Sequence, residues 1–376
     1  MKTVIYTHGM GGSAEEAEKI NDTFDRPVSG LAPDQKKIYP SIDIAKLVMA
    51  ILVVLIHRPI VSGGLFRFLL SDHSMLSVAV PFFFIVSAFL FFRKLQQPDV
   101  QPKRALLQLE KRMLKLYFLY SAIYFPIDLI KTYAGEFSAM TLRTFAAFVV
   151  LYAKNTLFFI SFTHLWYVYA LIVCIPVVFL LTRIVRGKRT VAFIAAAEFF
   201  IIAALYALFP EAADKLPYMV VKILRVGFPC VCVGYFAAQC SDSVPRAQRA
   251  MLPVFWSLLL GTSLLSYTNQ TAVWEYVRLL CAFLTAFALL RFCLSVPLKH
   301  RPVYPILRNY STLIYFLHLL LSSEILSFIA AHTGMTALKT SNPLRFCLTL
   351  SLVWLEASCI LLLQKKKAFR FLRYLY

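Results

Sequence analysis

Asp43, Lys46 and His57 are ionisable residues in the first long apolar run of this chain. An ionisable group inside a membrane-spanning helix costs about 2.5–3.5 kcal/mol on insertion scales, so its presence points to function. Lys46 and His57 lie eleven residues apart. At 100° per residue this spacing leaves a net rotation of about 20°, which sets both on one helix face about 16 Å apart. Asp43 precedes Lys46 by one turn and can pair with it. Imidazole is the natural general base near neutral pH. A cation near one mouth of a helix, with an imidazole further along, suits a ligand that enters at the first and reacts at the second. Two plainer readings stay open at this stage. A lysine can snorkel to the interface, and a histidine can simply bond a neighbouring helix.

The elements that must hold these groups are legible in the composition. The chain has 376 residues, 60% of them hydrophobic and only 15% charged, with a mean hydropathy of +0.70. Ordinary soluble domains carry about 25% charged residues. The sequence therefore predicts an all-α, polytopic transmembrane protein. Its net charge of +20 does not point to nucleic acid, because the basic residues sit in short segments between apolar runs, where they orient helices in a bilayer. The eight cysteines fall mostly inside apolar runs and read as small buried hydrophobes. Cys230 and Cys232 point away from each other on a helix, and no metal site is expected.

A spanning helix needs about 20 mostly apolar residues. Candidate spans lie near 42–61, 74–92, 113–131, 142–162, 164–182, 191–209, 217–239, 252–267, 273–295, 310–331 and 344–363. Basic loops set the orientation: Arg93 to Lys115, Arg183 to Arg189, Arg246 and Arg249, Lys299 to Arg301, and Lys365 to Lys367. All share one side only if one early candidate does not cross. That candidate is 142–162, interrupted by Arg143, Lys154 and Asn155. The expectation is about ten crossings, both termini cytoplasmic and a multi-pass protein of the inner (cytoplasmic) membrane.

Residues 1–40 are expected to form a cytoplasmic leader ahead of a transmembrane domain at 41–376. The leader holds a Gly-rich turn at 4–13 that looks like the start of an α/β-hydrolase, but the chain has no Gly-x-Ser-x-Gly nucleophile elbow. No catalysis is assigned to it.

Further along, six stretches occur in an order that identifies a family. Asp43, Lys46 and His57 resemble the first-helix signature of the acyltransferase-3 family, the bacterial integral-membrane O-acyltransferases, in which an Arg or Lys precedes a His by ten intervening residues. The stretch from Pro81 to Leu90, with Ser87-Ala88-Phe89, resembles the second-helix motif, which usually ends Ser-Gly-Phe; Ala88 departs from it. Lys111-Arg112-Met113-Leu114-Lys115 resembles an Arg-x-x-Arg before the third helix. His164-Leu165-Trp166-Tyr167 is similar to a His-Leu-Trp-Tyr stretch, and Phe228 to Phe236, with Gly234-Tyr235, to a later helix. Ser311, Tyr315 and His318 resemble a near-terminal Ser-x-x-x-Tyr-x-x-His.

The resemblance implies an enzyme that moves an acyl group, expected to be acetyl, from a cytoplasmic acyl-CoA co-substrate to a hydroxyl of an envelope glycan or glycolipid. No bound cofactor is expected. Partners are the donor, the acceptor and the bilayer. By the same resemblance Lys46, paired with Asp43, holds the donor at the pore mouth. Arg112 and Lys115 meet its phosphates, and His57 takes the acceptor proton or briefly accepts the acyl group. Ser87, Trp166, Tyr167, Tyr315 and His318 line the cavity. Lys222, Arg225, Glu198, Glu275 and Arg278 receive no role. The alternative is a transporter or membrane sensor with buried charges along a substrate path. No internal repeat supports it.

Overall fold

Backbone amides that enter hydrocarbon must be bonded within their own segment, and the apolar runs accordingly fold as α-helices. In the computed structural model the described residues are 39–376, apart from 62, 72, 134–139, 159–162, 186, 214, 241–244, 270, 297, 300, 321–325 and 327–340. The leader and its Gly-rich turn lie outside the described residues. The long helices are α1 (Pro40–His57), α2 (Met75–Lys94, opening on a 3-10 turn), α3 (Pro102–Thr132), α4 (Leu142–Phe158), α5 (Trp166–Ile184), α6 (Lys188–Leu208), α7 (Tyr218–Ala238), α8 (Arg246–Thr268), α9 (Ala272–Ser295), α10 (Val303–Leu319) and α11 (Asn342–Leu363). No strand occurs among the described residues. Nine helices, all but α4 and α10, are long and apolar enough to cross a membrane among the described residues. The span expected near 310–331 begins as α10 and continues into residues outside those described. Within the 142–162 candidate, Leu142–Phe158 is a continuous helix of 17 residues, which Arg143 and Lys154 do not break.

Local chemistry sets several helix boundaries. Proline in the first turn starts α1, α3 and α11, where a missing N–H costs nothing. The first apolar run is expected to continue to residue 61, but α1 stops at His57. Arg58 precedes Pro59, and a residue before proline is pushed out of the helical region; its φ of −133° and ψ of 76° show this. His57 is therefore the last residue of α1 rather than an interior one, and its side chain is exposed.

The Phe-rich α2 is the most buried of the nine, flanked by α1, α5, α7 and α9. Its closest neighbour is α7, because Gly234 lets the backbones meet. A Cβ at Gly234 would stand 2.5 Å from both Ala88 Cβ and the Ile85 carbonyl oxygen. Small residues permit such approaches between membrane helices. Ala88, which departs from the Gly of the resembled motif, thus faces a glycine on the partner helix. Cys230 and Cys232 of α7 are both fully buried, since α7 is covered by α2, α5, α6 and α9. The α10 helix runs beside α1 and α11.

Gly234→Val should force α2 and α7 apart and destabilise the protein by about 1–3 kcal/mol, the usual cost of overpacking. Gly261, with nothing within 4 Å of a built Cβ, is the control. Thermal unfolding in detergent should show a lower midpoint for Gly234→Val and no loss for Gly261→Ala; equal midpoints would contradict this account of the α2–α7 contact.

Candidate active site

Helices α1 and α10 run in parallel, and each contributes to two layers of polar side chains. At the N-terminal end of both, Asp43 is buried and lies in electrostatic range of Arg308 and Lys46. Lys46 is half-buried and lies in range of Asp43, Arg308 and Arg112. This layer holds three cations and one carboxylate. At the other end the His57 and His318 rings stand 5.2 Å apart. His164, in the 3-10 turn before α5, adds a third imidazole 5.8 Å from His318. Eleven residues of α1 and ten of α10 separate the layers, which is about 15–16 Å at the helical rise.

The imidazole layer is built into the fold by bonds to backbone carbonyls. His318 is fully buried, and its Nδ1 stands 2.7 Å from the Tyr315 carbonyl oxygen and 3.2 Å from that of Ile314. Carbonyls only accept, so Nδ1 carries the hydrogen and Nε2 keeps its lone pair. That Nε2 has no hydrogen-bond partner among the described residues. The Tyr315 hydroxyl donates to the His164 carbonyl at 2.8 Å, which ties the His164 turn to α10. The Tyr124 hydroxyl donates to the Phe316 carbonyl at 2.8 Å and accepts from the Leu320 amide at 3.1 Å. Its ring stands 5.0 Å from His164. Tyr167 packs 5.4 Å from Tyr315, donates to the Phe83 carbonyl at 3.2 Å and shares a 2.9 Å hydrogen bond with Ser87.

The structure thus gathers His57, Ser87, Tyr167, Tyr315 and His318 into one cluster, with Asp43 and Lys46 one layer away. Trp166 stands at the edge, 5.6 Å from Phe84. The side chains of Arg112 and Lys115 are exposed on α3. Arg112 lies in range of the charge layer. Lys115 is turned to the C-terminal segment Lys367–Leu375, its Nζ 3.0 Å from the Tyr374 ring centroid.

Three participants were not selected from the sequence. Arg308 shares an arc of about 80° with Ser311, Tyr315 and His318, a signal open to the same face count that linked Lys46 to His57. His164 heads a recognised motif and stands at the very edge of the expected span near 164–182. Tyr124 gave no signal, since one tyrosine among 19 does not stand out. Among the described residues no three His, Cys, Asp or Glu side chains are grouped to hold a metal ion.

Tyr315→Phe keeps the ring contacts and removes one buried hydrogen bond, so it should cost about 1 kcal/mol. Tyr315→Leu loses both and should unfold at a still lower temperature. A Tyr315→Phe midpoint equal to wild type would show that the bond to His164 does not hold the turn.

No curated protein and no solved structure matches the chain. A family model described as an acyltransferase domain matches residues 39–361. That range contains both polar layers and every helix that builds them, and the chain belongs to the acyltransferase-3 family, as a membrane acyltransferase.

Proposed function

We propose that the protein transfers an acyl group, acetyl in the simplest case, from a cytoplasmic acyl-CoA to a hydroxyl of an envelope carbohydrate. The observation that carries this reading is the pair of layers on α1 and α10. Lys46, Arg308 and Arg112 form a cationic end that suits phosphates, which basic side chains meet by charge-assisted hydrogen bonds. The arm joining the phosphates of an acyl-CoA to its thioester has a length comparable with the separation of the layers. With its phosphates at the charge layer, the thioester reaches the imidazoles.

In this reading His57 removes the proton from the acceptor hydroxyl. The oxygen then attacks the thioester carbonyl and forms the ester bond as the carbon–sulfur bond breaks. The departing thiolate takes the proton back from the imidazolium, so no net proton is gained or lost at His57. His57 is the imidazole at an exposed helix end, where an acceptor can reach it. The buried His318 and the Ser87–Tyr167–Tyr315 cluster position the reacting groups. Asp43 holds Lys46 at the donor mouth, and Lys115 and Arg112 extend the basic surface outward along α3.

General-base assistance is typically worth about 10²–10⁴-fold. His57→Ala should therefore nearly abolish transfer of labelled acetyl from acetyl-CoA to envelope glycan in proteoliposomes, with normal protein levels. Lys46→Arg should keep much of the activity and Lys46→Ala should not. Near-normal turnover by His57→Ala would remove the proposed base.

Changing Arg112 to Ala should raise the donor KM more than it lowers kcat, the pattern of lost uniform binding. Lys115→Ala should behave likewise, and Tyr374→Leu, which frees the Lys115 ammonium, should not raise the donor KM. A pure kcat defect in the Arg112 variant would place it outside the donor site.

A further inference from the structure

The imidazole end of the bundle carries a second polar cluster that the transfer step does not use. Trp166 opens α5, Tyr218 opens α7 with Lys222 and Arg225 following it, and Glu275 and Tyr276 stand in the first turns of α9. Lys222 Nζ lies 5.3 Å from the ring centroids of both Trp166 and Tyr218, so one cation bridges two aromatic faces. The Arg225 guanidinium lies 4.7 Å over the Tyr276 ring and donates to the Glu275 carboxylate. Within α7 the residues Ile223–Gly227 form a π-helical turn, a widened geometry frequent at functional sites. The cluster is continuous with the imidazole layer: Phe84 stands 5.6 Å from Trp166 and 4.7 Å from Tyr167.

Two polar groups there have capacity that the described residues do not use. Tyr276 is 4% exposed, and its hydroxyl has no hydrogen-bond partner among them. Glu198, in electrostatic range of Tyr276, has both carboxylate oxygens in the same condition. A buried polar atom left unmade costs about 1–3 kcal/mol, so donors and acceptors retained side by side favour a polar ligand. Rings with one apolar face, set among hydrogen-bonding groups, match the chemistry of a pyranose. Its C–H faces stack on aromatics while its hydroxyls take a guanidinium, a carboxylate or a phenol.

We propose that Trp166, Tyr218, Lys222, Arg225, Glu275 and Tyr276 form the subsite that binds the acceptor sugar and presents its hydroxyl to the imidazole layer. This rests on the reading of the acceptor as a carbohydrate. Aromatic residues at helix ends also anchor proteins at the membrane–water interface, and binding measurements separate the two roles.

The test uses the full chain in nanodiscs with His57→Ala, so that binding is read without turnover. Maltotetraose, chitotetraose and tetragalacturonate are titrated as probes by saturation-transfer NMR. At least one should bind, and Tyr218→Ala and Arg225→Gln should each weaken it about tenfold, equivalent to about 1.4 kcal/mol. Tyr218→Phe should keep binding because the ring remains. In the enzyme with His57 intact, Tyr218→Ala should raise the acceptor KM and leave the donor KM unchanged. Failure of all three probes to bind, or binding unchanged by both substitutions, overturns the subsite. Binding lost through these substitutions while His57→Ala still transfers acyl groups would sink the proposed base and leave the sugar site standing.

Discussion

The arrangement depends on the parallel contact between α1 and α10. Two helices side by side in the same direction share one rise per residue, so groups at matching positions form layers. Lys46 with Arg308 and His57 with His318 are such pairs. The helical rise fixes the layer separation at about 15–16 Å, and no loop needs to be ordered to set it. A cationic end and an imidazole end are thereby held apart by rigid elements, a condition under which a long ligand can bridge them. Antiparallel packing of the same helices would place cations beside imidazoles and leave neither end suited to a donor.

The second constraint is that side-chain hydroxyls in this part of the bundle are bonded chiefly to backbone carbonyls of other segments. Tyr315 reaches His164, Tyr124 reaches Phe316 and Tyr167 reaches Phe83. Each bond joins segments distant in sequence, and together they fix ring orientations around His318. The Nδ1 bonds of His318 then decide which of its nitrogens keeps a lone pair. Orientation by such supporting bonds is what lets a site act without reorganising when charge develops. Close helix approach at Gly234 and Gly227 supports this from behind, since a Cβ at either would meet neighbours at 2.5 Å or 3.0 Å.

What the sequence by itself determined follows from periodicity and cost. Apolar runs of spanning length and the scarcity of charge required a helical membrane protein, because hydrocarbon offers backbone groups no other partners. The 100° turn per residue placed Asp43, Lys46 and His57 on one face before any packing was known. Six ordered motifs gave the family, and the match over 39–361 agrees with them. The tertiary structure alone decided which faces meet. Arg308 and His164 join the layers through contacts across more than a hundred residues, which no local pattern encodes. The end of α1 at His57 is legible in Arg58-Pro59, although apolar residues follow. The turn of Lys115 toward Tyr374 was set by where the C-terminal segment docks, and Lys222 and Arg225 meet rings of other helices, Trp166 and Tyr276. Those are packing outcomes: hydropathy fixes which residues enter the bilayer, whereas side-chain shape and hydrogen-bond reach between helices fix which of them touch.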